Sequence, residues 1–369
     1  MIDSIDESWL TTEESEEMLS PREVEMYRTH RRDLLKWMLN QGQNPAAGVG
    51  YAEETVENRS YRLDLFYRWV WDVENGYTEN ITTSHANSYL KYLHPQSYSQ
   101  AYKAAFQKAI RTLFRWQEHQ QGKLVNWNPV IHFHSSSVPT SREALTRDER
   151  QDLREAVLDH ESVPHYNSLD PDQRENWKQY LAQRFTKPKD EVTKDDFNRA
   201  NSWKWPSVFW TALDAGLRPK EVERAKVSWV DTQNAILRIP SEDAVKNDNH
   251  WKVGLRERTG EILEKWIEER DTYGKYDDSE LLWLTKYGNP YGSQALNRRF
   301  QTVCDEAGIK RSNRNLSWYS IRHSVGRQMV KEMSIGAAAA QLRHKSMEST
   351  LQYIRPSAEE RQEALDNMG

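Results

Sequence analysis

Residues 99–120 carry the clearest helical pattern in the chain, and this pattern limits the architectures open to its first third. Apolar side chains recur there at steps of three and four residues, which is the spacing of one face of an α-helix. The members of this stripe are Tyr102, Phe106, Ile110, Leu113 and Trp116. Because such a stripe must be buried, and because Glu54–Trp71 shows similar spacing, the pattern predicts an all-helical domain over residues 20–130.

A second face of the same predicted helix is polar. Its members recur every four residues and are Lys103, Gln107, Arg111 and Arg115. Two interpretations of this face stay open. It could be a solvated surface that only keeps the protein soluble, or it could lie against DNA, with the cations on phosphates and the amide in a groove.

The net charge does not decide between these interpretations. The chain has 51 Lys and Arg against 56 Asp and Glu, a formal net charge of −5, which taken alone argues against a nucleic-acid partner. Residues 1–19, however, hold seven acidic residues and no Lys or Arg, so the remainder has 51 basic against 49 acidic residues. We expect residues 1–19 to be a solvated acidic tail. An alternative is a mimic of DNA that covers a basic groove.

Several classes of protein are excluded by composition. Cys304 is the one cysteine, so the chain has no internal disulfide and no cysteine-based metal site. No apolar stretch approaches the ~18 residues of a membrane helix, and the acidic start lacks the basic and apolar parts of a secretory signal peptide. We therefore expect a cytoplasmic protein with no membrane partner.

Residues 131–144 are predicted to be a linker, and residues 145–369 a second domain. Thr146 and Glu149 form a capping box that opens a helix. Residues 160–205 are polar and weakly periodic, so an insertion or a mobile excursion is expected there. Val227–Ile239 and His250–Leu255 are strand-like and flank an Asn/Asp turn, while the rest is helical. The predicted fold class is mainly α with a small antiparallel β-sheet.

Four local patterns in this second part carry groups suited to phosphate chemistry. Arg218 follows a Gly-Leu corner, and Lys246 lies at the predicted β-turn. Arg322 ends the sequence Tyr319-Ser320-Ile321-Arg322. His344, in Leu342-Arg343-His344, precedes Tyr353 by nine residues.

In the order and spacing of these patterns, the chain resembles the tyrosine recombinases, or phage-type integrases. That family has an Arg after a Gly-Leu corner, a Lys in a β-hairpin, a His-x-x-Arg pair, and a Leu-Gly-His segment nine residues before a nucleophilic Tyr. The matching positions here are Arg218, Lys246, Arg322, His344 and Tyr353. Two positions differ, because Tyr319 stands where the family usually has His and Arg343 where it has Gly.

The resemblance implies a helical core-binding domain and a tyrosine-recombinase catalytic domain that together clamp double-stranded DNA. It also implies site-specific recombination, in which Tyr353 forms a 3′-phosphotyrosyl link and releases a 5′ hydroxyl that attacks a partner strand. Two duplexes require four protomers, so a homo-tetramer on DNA is expected. Integration of a mobile element is the expected use, with resolution of replicon dimers second.

The residue types also suit this chemistry on physical grounds. Arg218 and Arg322 could bind the non-bridging oxygens bidentately and stay charged. Lys246 could protonate the leaving 5′ oxygen, and His344 could accept a proton. Tyr319, with a pKa of ~10, would be a poorer proton acceptor than the usual His. With these groups no metal ion or other cofactor is required.

Two alternatives from other classes remain. One is a type IB topoisomerase-like enzyme that nicks and closes a single duplex with the same chemistry. The other is a DNA-binding protein that has lost catalysis and serves as an accessory protein or repressor.

Overall fold

The computed structural model describes residues 5–122, 125–134, 143–245 and 249–354, and a few positions near the end of the chain (361–362, 365–366 and 368). Lys246 and the middle of the predicted linker lie outside the described residues. Ser357 and Glu360, whose spacing predicts a further capping box, lie outside them as well. The chain divides into two compact units, Met1–Pro139 and Thr140–Gly369. Both units are mainly helical and the second contains a small antiparallel sheet, which confirms the predicted fold class.

The first unit is a helical bundle around an aromatic core. Its helices are α1 (Glu13–Glu17), α2 (Pro21–Asn40), α3 (Glu53–Glu74), α4 (Thr83–Leu93) and α5 (Gln100–Gln121). The predicted stripe of α5 packs into this core, where Phe106, Ile110 and Leu113 are buried beside α3 residues such as Phe66. Ser99 caps α5 by accepting a hydrogen bond from the Tyr102 N–H. The helix is therefore confirmed with bounds one residue from the predicted ones.

The acidic start is packed onto this unit over residues 5–19, contrary to the expected solvated tail. Leu10 is fully buried. The buried Arg31 guanidinium donates to the Trp9 carbonyl at 3.1 Å and to the Leu10 carbonyl at 3.2 Å. The Thr12 hydroxyl donates to the Asp64 carboxylate at 3.0 Å. The acidic composition concealed the few apolar residues that anchor the segment.

The second unit begins with α6 (Arg147–Ala156), whose predicted capping box is confirmed. The Thr146 hydroxyl accepts from the Glu149 N–H at 3.1 Å, and the Glu149 carboxylate accepts from the Thr146 N–H at 2.8 Å. The cap fixes the start of the helix, which contributes Leu153 to the main core of the unit.

Residues 160–205 are a packed part of the second unit and not a loose excursion. They form α7 (Pro171–Arg184), α8 (Lys194–Arg199) and the start of α9 (Lys204–Ala215). Trp177, Leu181 and Phe197 make a small core of their own. The buried Glu269 carboxylate accepts from the Ser202 hydroxyl at 2.6 Å and from the Trp203 N–H at 2.7 Å. The apolar residues of this core form only one short helical stripe, in α7, and the others are widely spaced, which is why the sequence pattern did not predict the core.

The sheet has three antiparallel strands in the order β1-β2-β3, formed by Val230–Asp231, Ile236–Ile239 and Trp251–Gly254. Val230 pairs with Leu237, and Leu237 pairs with Val253. Leu237 and Ile239 are buried whereas Arg238 is exposed, so one face of the sheet lies on the core. The strand-like pattern of the sequence is thus confirmed over shorter spans.

The other helices of this unit complete the framework around the corner that follows α9. They are α10 (Pro219–Arg224), α11 (Glu257–Arg270), α12 (Ser293–Glu306), α13 (Trp318–Glu332), α14 (Ile335–Gln341) and α15 (Glu348–Leu351). Within the described residues, no helix has the length and apolar character needed to cross a membrane.

Candidate active site

The corner between α9 and α10 positions Arg218. Gly216 ends α9 with a φ of +60°, and a Cβ there would lie 2.5 Å from the Leu342 Cδ2 atom, so only glycine fits. The Trp318 indole N–H holds the next carbonyl, that of Leu217, at 3.1 Å. Arg218 then becomes the N-cap of α10. A tight turn fixed from two sides therefore sets the direction of the Arg218 side chain.

Glu221, one turn into α10, is the centre of a buried charge cluster. Its carboxylate accepts from the Arg218 Nη1 atom at 2.9 Å and from the Arg218 backbone N–H at 2.6 Å. The Arg343 guanidinium binds both carboxylate oxygens at 2.8 Å. Burial acts to raise the pKa of Glu221, but Arg343, with Arg322 and Arg218, outweighs burial and lowers the pKa to about 2. The carboxylate is therefore ionised at neutral pH.

Arg322, on α13, is buried beside this cluster. Its Nη1 atom donates to the Gly216 carbonyl at 2.6 Å, and its Nη2 atom donates to the Leu342 carbonyl. The Nη1 atom also lies 3.8 Å from the Glu221 Oε2 atom. Burial, with the charges of Arg343 and Arg218, lowers the pKa of Arg322 to about 9, so the guanidinium stays charged at neutral pH.

His344 follows α14 and is half-buried. Its Nδ1 atom is 2.8 Å from the Thr350 hydroxyl oxygen, which fixes the ring and leaves Nε2 for other partners. Burial, with the charges of Arg322, Arg218 and Arg343, lowers the pKa of His344 to about 4. The imidazole is therefore neutral at pH 7 and able to accept a proton.

Tyr353 lies just after α15 and is only 5% exposed. Its ring is nearly parallel to His344, and its edge contact with His323 has a centroid distance of 5.3 Å. A Cβ on Gly326 would lie 2.9 Å from two Tyr353 ring atoms, so that glycine makes room for the ring. Burial raises the pKa of Tyr353, while the charges of Arg322 and Arg218 and a hydrogen bond from Arg322 act in the opposite direction.

The structure thus brings together four of the six residues that the sequence suggested: Arg218, Arg322, His344 and Tyr353. Tyr319 is half-buried one turn before Arg322 on α13, so the two side chains share a helix face. Lys246 lies outside the described residues. Among the residues that the structure does describe, no group of three His, Cys, Asp or Glu side chains could hold a metal ion.

Two members of the cluster, Glu221 and Arg343, were missed as site residues by sequence reasoning. The position of Glu221 three residues after Arg218 was a usable indication, because that spacing is one helical turn. Arg343 was noted only as a departure from the family pattern. Its contact with Glu221, 122 positions away, depends on the folded structure.

The predicted polar face of α5 is not one exposed surface. Lys103 is 4% exposed and donates to the His94 carbonyl at 2.7 Å, and Gln107 is 7% exposed and accepts from the Phe133 N–H at 3.0 Å. Arg115 is half-buried and donates to the Tyr51 hydroxyl at 3.0 Å. Arg111 is exposed. The first two side chains satisfy backbone groups inside their unit, which removes them from any surface for DNA.

Comparison with known proteins identifies relatives of both the domain and the fold. Residues 197–360 match the phage integrase family. XerH site-specific recombinase, in a post-cleavage complex with palindromic difH substrate, is 15% identical with a TM-score of 0.56, over 95% of this chain and 90% of that chain. The Tn1549 transposon integrase, in complex with a circular intermediate DNA, is 11% identical with a TM-score of 0.50, over 90% of this chain and 98% of that chain. No curated protein sequence matches the chain significantly.

At these identities the solved structures show a shared fold, and the family match supplies the relationship in sequence. The matched residues include Arg218, Arg322, His344 and Tyr353, which are the side chains gathered around Glu221 and the corner after α9. Residues 197–360 therefore match the phage integrase family, and the chain shares the fold of site-specific recombinases.

Proposed function

We propose that Tyr353 is the nucleophile of a site-specific recombinase that integrates a mobile element through a 3′-phosphotyrosyl intermediate. The observation that carries this proposal is the convergence of two guanidinium groups, a neutral imidazole and a phenol at one place in one chain. These groups suit metal-free attack on a phosphodiester, since the charge of the phosphate must be bound, the attacking phenol must lose a proton and the leaving 5′ oxygen must gain one.

Arg218 and Arg322 bind the non-bridging oxygens of the scissile phosphate. A guanidinium has five N–H donors, so Arg322, which already donates to the Gly216 and Leu342 carbonyls, keeps donors for a phosphate oxygen. These donors stabilise the charge that grows on the oxygens during attack. Both groups lie beside the buried Glu221, so the donors are oriented before DNA binds. This orientation reduces the reorganisation that attack requires.

The Tyr353 oxygen attacks the phosphorus, its proton passes to the neutral His344, and the bond from phosphorus to the 5′ oxygen breaks. Lys246 supplies the proton that the leaving 5′ oxygen takes up. Tyr319, which is a poor proton acceptor, donates a hydrogen bond to the phosphate. Attack by the 5′ hydroxyl of a partner strand reverses these transfers and restores Tyr353, so the exchange consumes no external energy.

The packing of Tyr353 on His344 within one chain supports attack by each protomer at its own active site. Exchange between two duplexes involves four strands, so the active assembly is four copies of this chain on double-stranded DNA. The Tn1549 transposon integrase, solved in complex with a circular intermediate DNA, supports integration as the use of this chemistry. Resolution of replicon dimers is the second candidate use.

The test is a nicked duplex that carries a candidate recombination site from the DNA that flanks the gene. Cleavage near the nick releases a short fragment and traps the covalent adduct, which denaturing gels reveal. We expect the adduct with the wild-type protein and with Y287F, a control at a tyrosine that is 69% exposed, but not with Y353F. An adduct with Y353F would show that another residue is the nucleophile.

The same preparation distinguishes the alternatives. Relaxation of a supercoiled plasmid without strand exchange between two duplexes would favour the topoisomerase-like activity. Binding to the nicked duplex without any adduct would favour the protein that has lost catalysis.

A further inference from the structure

Arg343 stands at a backbone position where an arginine is unexpected. Its φ is +56°, in the left-handed region that favours glycine. The side chain is nevertheless 1% exposed, so the chain accepts an unfavourable backbone and a buried charge at the same residue. Such a combination requires compensating contacts.

Those contacts surround the guanidinium. Nε and Nη2 bind the two oxygens of Glu221, each at 2.8 Å. Nη1 donates to the Ala215 carbonyl at 2.9 Å and to the Gln341 carbonyl at 2.6 Å. Arg343 therefore joins the end of α9, the first turn of α10 and the end of α14, which are the segments that lead to Arg218 and His344.

The charges around Glu221 show what would follow without Arg343. Arg218 contributes one side-chain hydrogen bond to the Glu221 carboxylate, and the Arg322 Nη1 atom lies 3.8 Å from the Glu221 Oε2 atom. Without the Arg343 guanidinium, this carboxylate would keep the hydrogen bond from Arg218 and the more distant ion pair with Arg322. A closer contact of Arg322 with Glu221, in addition to the bond that Arg218 already makes, would reduce the positive charge offered to a phosphate.

We propose that Arg343 is a positioning residue that serves as the internal counter-ion of Glu221, so that Arg218 and Arg322 remain available for the scissile phosphate. The phosphate part of this inference rests on the proposed function. The counter-ion part does not, because it concerns only the protein without DNA.

The first measurement therefore uses the protein without DNA. The charged and titratable groups that act on His344 are Arg322, Arg218, Arg343 and Glu221, with Tyr353 stacked on its ring. We expect the imidazole NMR signals of His344 to titrate near pH 4 in the wild-type protein. R343M removes a cation and raises this midpoint, and E221Q/R343M removes the matching anion and lowers it again.

The second measurement is the rate of adduct formation on the nicked duplex at saturating protein. We expect R343M to be slower by about 100-fold, the size of effect that follows when a preorganised charge is disturbed. E221Q/R343M restores the charge balance and recovers to within about tenfold of wild type. R343K, which keeps the charge but not the fork, falls between R343M and wild type. Thermal unfolding of each variant confirms that it is folded.

The outcomes separate the two proposals. A folded E221Q/R343M protein that is as slow as R343M would overturn the counter-ion role, because filling the corner would then be the function of Arg343. Equal rates for R343M and wild type would overturn it as well. If R343M does not fold, the rates of adduct formation by E221Q/R343M and R343K still test the counter-ion role of Arg343. If the wild-type protein cleaves no duplex, the recombinase proposal fails, while the His344 titration still tests Arg343.

Discussion

The phenol ring of Tyr353 and the imidazole ring of His344 lie almost parallel, with centroids 5.9 Å apart and an interplanar angle of 9°. The short helix α15 lies between these residues in the sequence, so nine positions of chain fold back to bring the two rings together. The proposed nucleophile and the proposed proton acceptor are therefore neighbours in the protein without DNA. The mutual position of the two rings should be sensitive to small changes behind Tyr353.

Substitution of Gly326 by alanine tests that sensitivity. The new Cβ would lie 2.9 Å from the Tyr353 ring and 2.8 Å from the Leu342 Cδ1 atom, so the ring must shift. We expect G326A to lower the free energy of unfolding by about 1–3 kcal/mol, as overpacking does. We expect it to slow adduct formation by about 100-fold, because sub-ångström placement matters for attack.

G336A is the matched control for this variant. Gly336 is also helical, but a Cβ there meets only the Ser334 Oγ atom at 3.7 Å. Adduct formation by G336A should equal that of the wild-type protein. A G326A protein that also reacts at the wild-type rate would contradict the close packing of Gly326 against the Tyr353 ring.

The pH dependence of cleavage should report the unusual environment of His344. Its pKa is lowered to about 4 by burial and by the neighbouring arginines, so the imidazole accepts a proton at any pH above this value. As the pH falls through about 4, His344 becomes protonated and cleavage should decline. The acid limb of kcat/KM, measured on the nicked duplex, should therefore lie near pH 4 and not near the ordinary histidine value of about 6.5.

H344Q provides the control for this profile. It should be slow at every pH and should lack the acid limb, because glutamine does not titrate. An acid limb near pH 6.5 in the wild-type protein would contradict the burial of the imidazole.

The polar residues of α5 should divide into two kinds when they are mutated. R111A removes an exposed cation and should weaken DNA binding with a salt slope smaller by about 1, as expected for one phosphate contact. K103M leaves the His94 carbonyl without its buried donor and should cost about 1–3 kcal/mol of stability with no change in slope. Fluorescence anisotropy across salt concentrations and urea unfolding measure the two effects. The same slope change in K103M would place Lys103 on DNA after all.

Trp177 tests whether residues 160–205 are a folded part of the second unit. Its ring is almost fully buried against Tyr180 and Tyr273, with a centroid distance of 5.0 Å to the latter. W177A should lower the free energy of unfolding by about 3–5 kcal/mol, and limited proteolysis should then cut within residues 160–205. A cost below about 1 kcal/mol would instead support the mobile excursion that composition suggested.

Local patterns were sufficient to predict elements whose information lies in neighbouring residues. The stripe of α5, the Thr146 capping box and the alternation in β2 are of this kind, and the structure confirms each. The catalytic proposal came from the order and spacing of residues that resemble a family. The structure gathers Arg218, Arg322, His344 and Tyr353, while their roles stay a prediction.

Features that depend on distant contacts were not predictable. The Glu221–Arg343 pair joins residues 122 positions apart and needs a left-handed turn that arginine seldom adopts. The core around Trp177 joins the short stripe of α7, Trp177, Tyr180 and Leu181, to apolar residues that are distant in the sequence, such as Val163 and Phe197. The burial of Lys103 depends on its hydrogen bond to the carbonyl of His94, which lies at the end of a different helix, α4.

The way Arg31 holds the carbonyls of Trp9 and Leu10 has a practical consequence for shortened versions of the protein. Deleting the first nineteen residues would remove two of the acceptors of a buried guanidinium and the Glu16 partner of Arg28. The shortened protein would gain positive charge and lose internal support together. Tighter binding of DNA by the shortened protein would therefore not show that residues 1–19 act as a mimic of DNA. Glu7 and Glu16 already form ion pairs with arginines of α2.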